Sequence, residues 1–596
     1  MIGRAELASA WGVESGYHAI SGDWVPTSDE TADRLLHAMG ARDQGPPSSA
    51  TLVHRAGDPL QLPGEHEIRT EDGNVLRAEA CLPEDLPLGY HRIRRLADGE
   101  ERHLILTPGH CHLPDDLRGW AWAVQLYAAR SRASWGIGDL ADLRELARWG
   151  RRQGATTLLV NPLHAPLPTV PQEPSPYFPS TRLYRNPLYL RVEEVPGAER
   201  LASELEPLAR AGRGLNDERE IDRDRAWGLK DAALRTLYDA FGGDPGLDAY
   251  LRREGEALRD YATFCAITRE HRAPWRAWPE ELRHPRGAAV ERFRRVHEHE
   301  VGYHQWLQWL LDRQLGEAAR ELPPLTDLAV GVDPDGADAW LWQDHLAPGI
   351  SVGAPPDPFA PEGQDWSVQA FDPWKMSRDG YQPFARTVRA ALDHAFGLRL
   401  DHVMGLFRLY WVPTGGGPGG YVRYPSSDLL GVLALESMRA KAVVVGEDLG
   451  TVEDHVREEL SHRRVLSYRL LWFEDRSPAD YPRDALAALT THDLPTLSGI
   501  WTGADPDPAI EKRLLRYGGA RLGESVEEAA LTAYAALAAS PCRLVAAPLE
   551  DALEVSERPN RPGTREATNW SLALPVPVEE LEADGRTADL ARTLRR

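Results

Sequence analysis

The stretch FGLRLDHVMGLFRLYW, residues 396–411, places an aspartate directly after a short apolar run. Arg399 comes two residues before Asp401, and Arg408 comes seven residues after it. Enzymes built on parallel barrels carry their chemistry at the carboxyl ends of such strands. Asp401 is therefore either a catalytic carboxylate at a strand end or a charged residue neutralised by its two arginine neighbours.

The same pattern recurs from about residue 120 onward, where short apolar runs end in polar or charged residues and are followed by helical stretches. Repeated units of this kind predict an α/β protein, and eight of them predict a closed (β/α)8 barrel. The candidate strands are WAVQLYA near residue 122, TTLLVNPLH at 156, LTDLAVGV at 325, HAFGLRLDHV at 394, AVVVGEDL at 442, LSYRLLWFE at 466, ALTTHD at 488 and RLVAAPLED at 543.

The chain is longer than such a barrel requires, and its pattern changes along its length. Residues 1–48 read as short helices that end in a GPPSSA linker, and residues 49–116 read as a small β-rich domain with a DG turn signal. We assign residues 117–596 to the barrel. Within it, residues 165–324 far exceed the ~2–6 residues of an ordinary connection, so we expect a mostly helical insertion after the second strand.

Composition limits the possible partners and the compartment. The net charge of −23 disfavours nucleic acid and anionic lipid. The four cysteines show no CxxC spacing, so reduced thiols are expected. The N-terminus lacks a signal-peptide pattern, and no stretch approaches the ~18 uncharged residues of a membrane helix. These features predict a cytosolic protein.

Three carboxylates end apolar runs and are candidates for catalysis. Asp401, Glu447 and Asp493 follow the fourth, fifth and seventh candidate strands. A single aspartate at a strand end is more often a helix cap or an ion-pair partner. Three acids on one rim repel one another, however, and such clusters are usually retained for chemistry. Together they favour a catalytic site.

Cleavage of a sugar acetal requires this set of groups. One acid protonates the leaving oxygen, and a carboxylate faces the developing oxocarbenium ion or attacks it covalently. Asp448 follows Glu447 directly, but successive strand residues face opposite sides, so only one of the two points into the barrel mouth. We favour Glu447.

At this point the sequence resembles a known family. The blocks LRLDHVMGLFR, VVVGEDLGTV and TTHDLPTLSG are similar to those of the amylomaltases, the 4-alpha-glucanotransferases of glycoside hydrolase family 77 in the α-amylase clan. The N-terminal stretches LASAWGVESGYHAISGDW and LPLGYH look like the extension of the longer bacterial amylomaltases. The resemblance continues through SRASWGIGDLADL (131–143), VNPLHAPLP (160–168), SPYFPSTRLYRNPLY (175–189), VGVDPDGADAW (330–340), VGAPPDPF (352–359) and ERPNRPGT (557–564).

The resemblance implies a role for each acid. Asp401 would be the nucleophile that forms a covalent β-glucosyl-enzyme, Glu447 the acid/base and Asp493 the carboxylate that stabilises the transition state. Arg399 would lower the pKa of Asp401 and keep it ionised. His492 would hydrogen-bond sugar hydroxyls beside Asp493.

Four further positions match family residues that line the donor and acceptor subsites: Tyr177, Asp338, Asp357 and Asn560. The implied reaction transfers an α-1,4-glucan segment from a maltooligosaccharide donor to the 4-hydroxyl of an acceptor glucose or glucan, with retention of configuration. Residues 367–374 depart from the glycine- and proline-containing sequence that is usual in the family at this point.

Other signals carry little weight. GGGPGG at 415–420 lacks the ending of a phosphate loop, and HCH at 110–112 has no second cluster to complete a metal site. We expect neither metal nor cofactor. Two alternatives stay open: a hydrolase that uses the same three acids on α-1,4-glucans, and a glucan-binding protein without activity. The presence of all three carboxylates argues against the second.

Overall fold

The centre of the protein is a closed barrel of eight parallel strands. We describe it from a computed structural model of the chain, in residues 3–19, 21–41, 44–356, 360, 362–450, 452–564 and 568–596. Each strand pairs with the next along the chain and the eighth pairs with the first, which confirms the predicted (β/α)8 fold. The strands are Gly119–Val124, Thr157–Val160, Leu325–Leu328, Gly397–Leu400, Val443–Gly446, Leu466–Leu470, Ala485–Ala488 and Leu544–Pro548.

The barrel strands are buried on both faces, which explains their nearly continuous apolar sequences. Helices connect successive strands, and two more follow the eighth strand. They are Leu140–Gln153, Gln382–Leu392, Ser426–Ala440, Asp454–His462, Leu497–Thr502, Pro508–Arg513, Val526–Ala538, Leu549–Ala552 and Gly585–Leu594.

One predicted strand position needs a correction. The seventh strand is Ala485–Ala488, upstream of most of the ALTTHD run. Asp493 therefore lies in the loop beyond the strand and does not end it. The chain turns there because Leu494 N–H donates to the carbonyl of Thr491 (3.2 Å) and the Thr490 hydroxyl donates to the carbonyl of Pro495 (2.9 Å). The turn still leaves Asp493 at the barrel mouth.

Helix Leu140–Gln153 shows how the sequence sets the outer layer. Asp139 caps its first turn, and Gly154 ends it with a φ of +91°, a conformation that favours glycine. Arg191 donates hydrogen bonds to the buried carboxylates of Asp139 (2.7 Å) and Asp142 (2.8 Å). These bonds tie residues that follow the second strand to the first helix of the barrel.

The long segment after the second strand is mostly helical. It begins with a short antiparallel ladder and continues as helices that pack against one another and against Leu140–Gln153. Its strands are His164–Ala165 and Thr181–Arg185, and its helices are Ala202–Gly214, Arg223–Asp239, Pro245–His271, Ala288–Val296 and Glu298–Glu321.

A second sheet stands beside the barrel mouth and was not predicted. It is antiparallel, and its strands come from the segments that follow the third and fourth barrel strands. Its strands in spatial order are Gln364–Phe371, Leu346–Ala354, Arg408–Pro413 and Gly420–Arg423, and two helices near it are Ala337–Leu341 and Pro373–Arg378. The outer strand Gly420–Arg423 extends the sheet toward residues 1–48, which we call the N-terminal segment.

The N-terminal residues form two small units. Helices Arg4–Ala10 and Asp29–Ala38 flank the strand pair Gly16–His18 and Trp24–Pro26. A five-stranded sheet follows, and the proposed boundaries at residues 48 and 116 fall between these elements. Its strands are Thr51–Arg55, Gln61–Arg69, Val75–Cys81, Gly89–Arg95 and Glu101–Thr107. No helix in the described part of the chain is both long enough and apolar enough to span a membrane.

Candidate active site

Two of the predicted acids lie side by side at the carboxyl ends of neighbouring strands. Leu400 and Gly446 are paired in the barrel, and Asp401 and Glu447 come directly after them. The backbone N–H of Glu447 donates to the carbonyl of Leu400 (3.0 Å), which keeps the two segments in step past the strand ends. The strand register therefore brings both carboxyl groups to one point of the rim.

Arg399 connects Asp401 to an acid that the sequence analysis did not select. Its Nη1 lies 2.7 Å from both carboxylate oxygens of Asp327 and 3.0 Å from Oδ1 of Asp401. Arg399 and Asp327 are register partners on adjacent strands, and both are buried. The Arg399 guanidinium is therefore closer to Asp327 than to Asp401. Among the described residues, Asp401 receives a single charged hydrogen bond, on Oδ1, which leaves its second oxygen available.

The other arginine of the opening stretch has different partners. Arg408 binds Glu14 and Glu453, not Asp401. In the described part of the chain Asp401 is thus paired with Arg399 and with no other arginine, and the alternative of an aspartate neutralised by its two arginine neighbours does not hold.

The third acid is connected to Asp327 through Tyr177 and His492. The Tyr177 hydroxyl donates to Asp327 (2.6 Å), and its ring stacks on His492 at a centroid distance of 4.7 Å. His492 Nε2 lies 3.4 Å from an oxygen of Asp493. The side-chain amide of Asn560 donates to the other oxygen of Asp493 (2.7 Å).

Glu447 is held by two backbone donors. Its Oε2 accepts the N–H of His402 (2.9 Å), and its Oε1 accepts the N–H of Leu449 (2.8 Å). Asp448 has another role, since its carboxylate accepts the N–H of Tyr468 (2.8 Å) and the hydroxyl of Ser467 (2.6 Å). Glu447 therefore lies close enough to Asp401 and Arg399 to interact with their charges, whereas Asp448 is used inside the fold.

The environments of the acids separate their proton affinities. Burial, followed by the charge of Asp401, raises the pKa of Glu447 to about 7. Burial opposes ionisation of Asp493 too, but the charge and hydrogen bond of His492 and the bond from Asn560 hold its pKa below its usual range. One acid is therefore a proton donor near neutral pH while another stays charged.

Arg399 lowers the pKa of Asp401, as expected, but it does not bring that pKa down to the usual value of an aspartate. Burial raises that pKa to about 6, and Arg399 only partly offsets the effect because the charges of Asp327 and Asp493 act in the opposite direction. The shared pairing explains the result, since Asp327 holds the guanidinium more closely than Asp401 does.

Comparison with known proteins identifies the family. The family model for 4-alpha-glucanotransferases, glycoside hydrolase family 77, matches residues 124–577. The chain belongs to this family. The 4-alpha-glucanotransferase of Mycobacterium tuberculosis (strain ATCC 25618 / H37Rv) is 39% identical and the match covers 99% of this chain and 97% of that protein. The enzyme of the same name from Haemophilus influenzae is 33% identical over 83% of this chain and 80% of its own.

Solved structures agree with this membership. The amylomaltase from Corynebacterium glutamicum superposes with a TM-score of 0.89 at 29% identity, covering 100% of this chain and 99% of that one. The amylomaltase from Streptococcus agalactiae, solved in complex with acarbose, gives a TM-score of 0.69 at 16% identity. It covers 80% of this chain and 98% of its own, and it shows the shared fold alone.

The predicted subsite residues of this 4-alpha-glucanotransferase are not all found together. Tyr177 and Asn560 join the cluster described above. Asp338 is buried elsewhere, where its Oδ2 accepts the N–H of Arg182 (2.8 Å) and supports the chain near the start of helix Ala337–Leu341. Asp357 lies outside the described residues.

Sequence reasoning also missed two acids at the site. Asp327 could have been noticed as a charged residue inside the apolar run LTDL. Glu550 comes two residues after the eighth strand, and burial raises its pKa to about 7. Both line a pocket at the barrel mouth, together with Tyr177, Arg399 and His492.

Proposed function

We propose that this glucanotransferase moves an α-1,4-glucan segment from a maltooligosaccharide donor to the 4-hydroxyl of an acceptor glucose or glucan, with retention of the α configuration. The observation that supports the proposal most directly is that Asp401 and Glu447 lie next to each other at the ends of adjacent strands. One has an oxygen free of hydrogen bonds from the described residues, and the other has a pKa near neutrality.

In the first step we assign Glu447 the role of general acid. It gives its proton to the glycosidic oxygen while Asp401 attacks the anomeric carbon from the opposite face, and the bond to the leaving glucan breaks. The product is a β-glucosyl ester of Asp401. In the second step Glu447, now ionised, takes the proton of the acceptor 4-hydroxyl, whose oxygen displaces Asp401 and restores the α linkage.

The low pKa of Asp493 fits a different task. A carboxylate that stays ionised can stabilise the positive charge on the sugar ring and accept hydrogen bonds from its hydroxyls. Its neighbours His492 and Asn560 fix its position from both oxygens. Tyr177 presents its ring beside His492, where a sugar face can pack against it.

Incubation with maltotriose alone tests the proposed function. We expect glucose together with a ladder of longer maltooligosaccharides, because each glycosyl-enzyme is intercepted by an acceptor hydroxyl. Product lengths are followed over time by chromatography. Glucose and maltose without longer products would establish the hydrolase instead, and absence of turnover would leave a binding protein.

The pH dependence of kcat/KM is expected to be bell-shaped. Asp401 must be ionised to attack, so activity rises with pH through its pKa of about 6. Glu447 must be protonated to act as acid, so activity falls as pH passes its pKa of about 7. Because the two carboxyl groups interact, the apparent pKa values of the two limbs describe the pair of groups and not either residue alone.

The variant Asp327→Asn checks this assignment. It removes a negative charge that raises the pKa of Asp401, so the acid limb is expected to move to lower pH while the alkaline limb keeps its position. An acid limb that stays in place or moves to higher pH would contradict the role given to Asp401.

We also propose a cytosolic enzyme that acts on maltodextrins and on the chain ends of glycogen or starch. Three of the four cysteines are buried thiols and the fourth, Cys81, is exposed and unpaired, a state that suits a reducing compartment. The acidic charge of the chain suits a neutral carbohydrate substrate better than a polyanion.

A further inference from the structure

Arg408 lies where three separate segments meet. Its Nη1 is 2.7 Å from a carboxylate oxygen of Glu14 in the N-terminal segment and 3.3 Å from one of Glu453. Its guanidinium also lies over the ring of Tyr421, 4.1 Å from the centroid. Only 16% of the side chain is exposed, so these ion pairs are partly shielded from water.

The chain near Arg408 and the chain near Glu453 also supply the two backbone donors that bind the Glu447 carboxyl group. Its oxygens accept the N–H groups of His402 and Leu449. His402 begins the short segment that ends at Arg408, and Leu449 lies four positions before Glu453 in the chain. The Arg408–Glu453 pair therefore joins the far ends of the two segments whose near ends orient the carboxyl group.

The N-terminal segment supports this joint from outside. Glu14 binds Arg423 (2.9 Å) as well as Arg408 (2.7 Å), and its N–H donates to the carbonyl of Tyr421 (2.9 Å). Farther along, Arg34 donates to the carbonyls of Thr414 (2.9 Å) and Gly416 (2.6 Å). The segment thus fastens both ends of the hairpin formed by Arg408–Pro413 and Gly420–Arg423.

We propose that Arg408 is a positioning residue for the proton-transfer group Glu447, and that the N-terminal segment braces it through Glu14. This inference rests on the proposed role of Glu447. Proton transfer requires the donor within hydrogen-bond reach of the glycosidic oxygen, and a displacement of about 1 Å can cost ~10²-fold in rate. Loss of Arg408 removes the ion pair that links Glu453 to the segment after the fourth barrel strand, while Arg399, Asp401 and Asp493 keep their own contacts.

The variant Arg408→Met tests the proposal, with Arg423→Met as its matched control. Both remove a partner of Glu14, but only Arg408 reaches Glu453. We expect Arg408→Met to lower kcat on maltotriose by about 10-fold or more with KM within about 2-fold of wild type. Arg423, whose side chain is 71% exposed, should leave kcat near wild type when replaced.

A second substrate separates positioning from general damage. Fluoride leaves an α-maltosyl donor with little help from an acid, so the rate of glycosyl-enzyme formation from α-maltosyl fluoride should be nearly unchanged in Arg408→Met. Glu453→Gln removes the same ion pair from its more exposed side and should reproduce the effect, which covers the case in which Arg408→Met does not fold.

Equal kcat values for Arg408→Met and Arg423→Met would overturn the proposal, as would equal losses on maltotriose and on the fluoride. Failure of the underlying function has a different signature, because the wild-type protein itself would then make no longer oligosaccharides from maltotriose.

Discussion

Replacement of Asp401 by Asn is expected to lower kcat/KM on maltotriose by on the order of 10⁴-fold or more. The amide has nearly the shape of the carboxylate and can still accept the hydrogen bond from Arg399, but it cannot form the glycosyl ester. The loss should appear at every pH, since no titration restores the nucleophile. Initial rates of glucose release measure it.

Rescue by azide identifies the nucleophile directly. In Asp401→Gly, azide can enter the space that the carboxylate leaves and attack the anomeric carbon of α-maltosyl fluoride, while fluoride departs with its electron pair. The product should be β-maltosyl azide, because one inversion takes the place of two. Asp493→Asn is the matched control, and it should lose activity without forming that product. The absence of β-azide from Asp401→Gly, or its formation by the Asp493 variant, would assign the nucleophile elsewhere.

The barrel could be predicted because parallel strands covered on both faces must be apolar throughout. Each of the eight observed strands falls in or beside a run that the sequence marks. The same logic located Asp401 and Glu447, which follow their strands directly. It misplaced the end of the strand before Asp493, since apolar character continues into a turn whose geometry is set by threonine hydrogen bonds.

The electrostatics of the site depend on contacts between distant parts of the chain. Asp327 and Arg399 face each other only because their strands are in register, and that register is not visible from either segment alone. Burial is the main cause of the raised pKa of Asp401, and the charge of this missed partner adds to it. The sequence predicts that Arg399 pairs with Asp401, but its Nη1 lies closer to both oxygens of Asp327, and burial has the larger effect on the pKa of Asp401.

The contacts between the N-terminal segment and the site could not be predicted from the sequence either. Glu14 and Arg408 are separated by 394 positions in the chain, and the sheet that brings them together was not predicted. Local patterns report on burial and turns, but they carry no information on which two surfaces meet. Ion pairs between segments this far apart in the chain can be identified only from the folded structure.

Replacement of Glu447 by Gln is expected to lower kcat on maltotriose by about 10²- to 10⁴-fold, the usual share of general acid–base catalysis. Gln cannot give a proton to the glycosidic oxygen, and its amide also meets one of the N–H groups of His402 and Leu449 with a donor in place of an acceptor. The alkaline limb of the residual pH profile should disappear, because the group with a pKa of about 7 is gone.

Azide again distinguishes the roles, with the opposite stereochemistry. Glu447→Gln should still form the glycosyl-enzyme from α-maltosyl fluoride, since that leaving group needs little protonation, and should then stall because no base activates the acceptor. Azide needs no base, so it should release α-maltosyl azide from the ester of Asp401 after two inversions. Asp401→Gly and Glu447→Gln would then yield opposite anomers from one donor.

A β-azide from Glu447→Gln, or an alkaline limb that survives the substitution, would mean that a different group transfers the proton. Glu550, which follows the eighth strand and also has a pKa of about 7, would be the next residue to replace.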